Sequence, residues 1–68
     1  MSVARITEIK SSSTRSFEDA VKQGIARSVK TLKNVKSAWV QNQEVVVGDN
    51  GEINEYRVHL KVTFILED

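Results

Sequence analysis

The chain has 68 residues, with ten Lys and Arg against nine Asp and Glu, no Cys and no Pro. A domain of about 60 residues buries only about 60% of the surface its unfolded chain exposes, and folds this small lean on disulfides, structural metal or self-association. The missing cysteines exclude disulfides and a Cys-rich zinc site, and the single His59 makes no histidine cluster, so a homo-oligomer is the expectation from arithmetic alone.

An apolar fraction of 40% beside 28% charged residues belongs to a folded sequence, not a disordered one. No apolar run approaches the ~18 residues of a membrane span. Met1 to Arg15 lacks the apolar stretch of a signal peptide, so a cytoplasmic protein without membrane contact is expected. Charge is unevenly spread. Residues 1–34 hold seven basic side chains against three acidic ones, and residues 35–68 hold three against six. A basic half can mark a nucleic-acid surface. Without a motif or interleaved aromatics, the expectation here is a solvated helix face with no nucleic-acid partner.

Val3 to Lys10 is rich in β-branched residues and predicts a first strand. Ser11-Ser12-Ser13-Thr14 predicts a loop. Ser16 has the chemistry of a helix N-cap, with Glu18 and Asp19 in the first turn where the helix dipole favours acids. From Phe17 to Leu32, the residues Phe17, Ala20, Val21, Gly24, Ile25, Ser28, Val29 and Leu32 recur at three- and four-residue steps. That spacing predicts one amphipathic helix over about 16–33. Lys30 and Lys33 suit its last turn, and Asn34 suits a left-handed cap. Gly24 inside the helix costs about 1 kcal/mol relative to Ala, and close approach of a strand explains it best.

Lys36 to Val47 predicts a second strand, and Gly48-Asp49-Asn50-Gly51 a hairpin turn. Ile53 to Leu66 alternates with period two. Tyr56, Val58, Leu60, Val62, Phe64 and Leu66 fall on one face, and Glu55, Arg57, His59, Lys61 and Thr63 on the other. The fold class is therefore α+β: β-α-β-β, with one amphipathic helix packed on a three-stranded antiparallel sheet, the first strand joining beside the third. The two late strands are far longer than the usual mode of about 5–6 residues. They overreach the helix, and their edges invite a second chain.

The early strand leading into SSSTRSFEDAV, the helix GIARSVKTLKNV and the closing EYRVHLKVTFILE resemble the dodecin family across nearly all of the chain, as a single dodecin-like domain over 1–68. The resemblance implies a hollow homododecamer holding flavins, riboflavin or FMN, as stacked pairs on dimer axes. It also implies site positions. The family's ring-stacking Trp, early in the second strand, corresponds to Ser37, and Trp39 follows two positions later on the same face. The family's Gln after an aromatic corresponds to Arg57 after Tyr56. Gln donates and accepts, whereas Arg only donates. The Arg that some relatives use for a flavin phosphate corresponds to Glu44. Other relatives lack the Trp and Gln pair and bind calcium, and Arg57 is similar to that branch.

The candidate binding residues are thus Ser37, Trp39 and Arg57. If Trp39 lies on the polar face with Arg57 and Lys61, the functional reading is an aromatic platform with a cationic rim for a planar anionic ligand. Burial of Trp39 at a subunit interface, or its stacking under Arg57, is the alternative. Arg57 has Glu55 and Glu44 as possible ion-pair partners. His59 reads as a surface or interface residue. Asp49, Asn50 and Glu52 need no metal to form a turn, and no metal site is expected. Nothing sets a base beside a Ser or Thr, so no enzymatic activity is expected. The function expected is storage of a small planar ligand, a flavin. The alternative is the same assembly without flavin, binding calcium or another ion or acting structurally.

Overall fold

The computed structural model describes residues 2–66; Glu67, at the end of the closing run, lies outside them. The elements are β1 (Ala4–Ser13), α1 (Phe17–Thr31), β2 (Val35–Val47) and β3 (Ile53–Ile65). The helix packs on a three-stranded antiparallel sheet of order β1-β3-β2, so the expected β-α-β-β architecture is present with the first strand beside the third.

β1 runs further than the sequence predicts. Ser11, Ser12 and Ser13 are not a loop but pair with Val58, Arg57 and Tyr56. A long central strand offers them a ladder, which overrides their weak strand preference. α1 starts as expected: the Asp19 N–H donates to Ser16 Oγ at 3.0 Å. It ends early, at Leu32, whose N–H donates to Ser28 O at 2.9 Å. Asn34 is therefore not the cap itself. Its left-handed φ of 61° turns the chain into β2, and its carbonyl accepts the Ile65 N–H at 3.1 Å. At the hairpin, Gly51 at φ 83° donates its N–H to Gly48 O at 3.0 Å.

Ala20, Val58, Leu60 and Val62 are fully buried between helix and sheet, with Ile9, Phe17, Val21, Ile25, Leu32, Val35 and Ala38 packed around them. Phe17 meets Tyr56 edge to face, ring centroids 5.2 Å apart. Val29, expected in this core, is 54% exposed. The centre of the contact follows Ala20, Gly24 and Ser28, the buried residues of α1. Small side chains four apart let the helix lie close to the sheet, and the Ser28 hydroxyl is satisfied by Gly24 O at 2.9 Å. That close line of contact leaves Val29 on the flank.

The molecule is long and thin, 53 × 19 × 14 Å, with a radius of gyration of 14.1 Å. A compact chain of this length has a radius near 11 Å. The hairpin of β2 and β3 accounts for the excess by projecting past the helix. Among the described residues no helix is long and apolar enough to cross a membrane.

Candidate functional site

Only one face of the sheet is covered by α1. Residues directly opposite in an antiparallel pair share a face, so the register of β3 with its two neighbours lists the open face rung by rung. Thr63 lies between Ile6 and Ser37, Lys61 between Glu8 and Trp39, His59 between Lys10 and Asn42, and Arg57 between Ser12 and Glu44. Ser37, Trp39, Arg57 and Lys61 therefore stand on one face, as period two implies.

The structure separates them along that face. Trp39 is opposite Lys61, and Arg57 is four residues further along β3, about 13 Å at the usual strand rise. Ser37 lies on the far side of Trp39 from Arg57. Stacking of Arg57 on Trp39 within one chain is ruled out by this distance. Arg57 Nε instead donates to Glu55 Oε1 at 3.4 Å, and not to Glu44 directly across in β2. A hydrogen bond from Ser12, then the one from Arg57, hold the Glu55 carboxyl below the ordinary carboxylate range.

Trp39 is 75% exposed, so its indole is an open aromatic surface on this chain, not part of its core. With Gln41 and Lys61 it lines a shallow cavity of about 220 Å³. A second cavity, about 380 Å³, is lined by Lys10, Asn42, Gln43, Glu44, Arg57, Val58 and His59. His59 is not isolated, because its Nε2 lies 3.1 Å from Glu8 Oε1.

Two of these residues, Gln41 and Asn42, are not among the candidates the sequence offers. Period two from Trp39 places Gln41 on its face. Asn42 has no such signal. A register shift between Val40 and Asn42 puts Asn42 on the open face as well, and such a bulge is made by pairing, not by local composition. Among the described residues, no three His, Cys, Asp or Glu side chains are grouped to hold a metal.

A planar ring fits the exposed indole of Trp39, with a cation beside it in Lys61. It does not fit a pocket that includes both Trp39 and Arg57 of the same chain. The class this defines is a small α+β protein whose helix covers one sheet face and whose other face presents an aromatic platform. The Dodecin family pattern matches residues 3–67, and the chain belongs to the dodecin family. It is similar in structure to a point mutant of Thermus thermophilus dodecin, with a TM-score of 0.92 and 31% identity over 100% of both chains. Dodecin from Streptomyces davaonensis gives a TM-score of 0.92 and 30% identity over 98% of this chain and 97% of that one. The calcium dodecin of Mycobacterium tuberculosis gives 0.82 and 28% over 96% and 91%. No curated protein matches the chain.

Proposed function

We propose that residues 1–68 act as a single dodecin-like domain that assembles as a homododecamer in the cytoplasm and stores a small planar ligand, a flavin, without transforming it. The observation that carries this reading is Trp39: a large aromatic surface, 75% exposed beside Lys61, on the face the helix leaves open. Self-association is supported by the elongated shape and by the exposed apolar side chains Ile6, Val47 and Ile53, each more than half accessible. In the free chain these features have no partner of their own.

Flavin binds more weakly here than in relatives with Trp and Gln at the positions of Ser37 and Arg57. Ser37 offers little surface to a ring, and Arg57 cannot accept a hydrogen bond. A second reading, calcium or another ion held by the same assembly, draws on the likeness to the M. tuberculosis calcium dodecin and on the engagement of Arg57 with Glu55.

Light scattering and flavin titration test the proposal together. Twelve copies of a 7.7 kDa chain give about 90 kDa. Riboflavin and FMN should quench Trp39 fluorescence, and Trp39→Ala should lose most of the affinity. A monomer or dimer at micromolar concentration overturns the assembly. Calcium binding without flavin binding favours the second reading.

A further inference from the structure

The open face carries a polar group placed to replace the amide that position 57 lacks. Between Val40, opposite Leu60, and Asn42, opposite His59, Gln41 has no residue directly across from it in β3. A residue left over by a bulge has no cross-strand side chain packed against it, and bulges re-aim side chains at sites of this kind. The space left is the cavity of about 220 Å³ that Gln41 lines with Trp39 and Lys61. It lies on β2, an edge strand of the sheet. Pockets that enclose a whole ligand run to about 300–1,000 Å³, so this cavity suits the edge of a ring whose body lies on the indole.

The chemistry of the lining is specific. The Gln41 amide sets an acceptor beside a donor, which matches the N–H and one neighbouring carbonyl of an imide edge. Lys61 adds a cation. Glu8, directly across from Lys61 in β1, has its Oε1 3.1 Å from His59 Nε2 and makes no ion pair with Lys61.

We infer that Gln41 reads the imide edge of a planar heteroaromatic ligand stacked on Trp39, and that Lys61 selects for negative charge on that ligand. The inference rests on the Trp39 reading above and names the polar half of the same site. It relocates amide recognition from the third strand to the second, in step with the move of the aromatic from position 37 to position 39.

The test titrates wild type, Gln41→Met and Lys61→Met with riboflavin, N3-methylriboflavin, FMN and the smaller imide-edged lumazine, following Trp39 fluorescence. Light scattering checks that each variant assembles as wild type does. Gln41→Met should weaken riboflavin by roughly five- to thirtyfold. N3-methylation should cost wild type a similar factor and cost Gln41→Met little, since the two changes remove the same contact. Lys61→Met should reduce the preference for FMN over riboflavin. If riboflavin quenches both wild type and Gln41→Met with affinities within about twofold, the inference falls and the Trp39 reading stands. If riboflavin and FMN fail on wild type while lumazine quenches in a Gln41-dependent way, the subsite stands and the flavin assignment falls. Absence of quenching by every probe overturns both.

Discussion

Gly24 of α1 lies so close to Leu60 of β3 that a methyl group on it would stand 3.0 Å from Leu60 Cδ1 and 3.0 Å from Ser11 Cβ. The contact sets how near the helix sits to the sheet face it covers. It also accounts for a helix-interior glycine by close approach, without a hinge.

Gly24→Ala should destabilise the protein by about 1 kcal/mol, although Ala is the better helix former by about as much. Leu60 is fully buried and Ser11 is held in β1, so neither yields the few tenths of an ångström needed. Urea unfolding of the two proteins measures the difference; a stabilised variant would show that the helix rides further out.

Leu60→Ala should cost ~2–5 kcal/mol, the range for emptying a closed core. Leu60 has no accessible surface and sits where helix and sheet meet. A loss under about 0.5 kcal/mol in the same unfolding assay would mean that the two faces of β3 are reversed.

Acid should unfold the protein partly through Asp19. Hydrogen bonds from Ser13 Oγ, at 2.6 Å, and then Gln23 hold its carboxyl below the ordinary value. A carboxyl lowered in the folded state stabilises fully above its unfolded value, near 3.9, and that contribution is lost as pH falls through the folded value. Melting temperatures of wild type and Asp19→Asn should therefore differ at pH 6 and converge on acidification below about pH 4. A constant gap down to pH 2 would contradict the assignment.

Lys22, Arg27 and Lys30 along the helix, and Lys33 just beyond it, are exposed, and Lys22 pairs with Glu18 at 3.2 Å. No aromatic interleaves them to stack on bases. DNA and RNA should bind weakly at physiological salt, with no sequence preference. Submicromolar affinity in fluorescence anisotropy would reverse that expectation.

The helix and the third strand were legible from spacing alone, because each has one face against a core and its period is a local property of the chain. Ser16 reads as a cap and caps the helix; Tyr56, Val58, Leu60, Val62 and Phe64 read as one face, and their central three residues are buried. Ser11 to Ser13 do not announce a strand. They become one only because β3 is long enough to pair with them.

The candidate site divides the same way. Alternation put Ser37, Trp39, Arg57 and Lys61 on one face, and chain order cannot say how far apart they stand. That depends on register. In β2 the shifts between Val35 and Ser37 and between Val40 and Asn42 decide which residue of β3 each side chain faces. They bring Lys61 to Trp39, leave Arg57 with Ser12 and Glu55, and open a notch at Gln41. A strand's period is set by its own backbone, but a bulge is a compromise between two strands over which side chains must be buried. It exists only once both have paired.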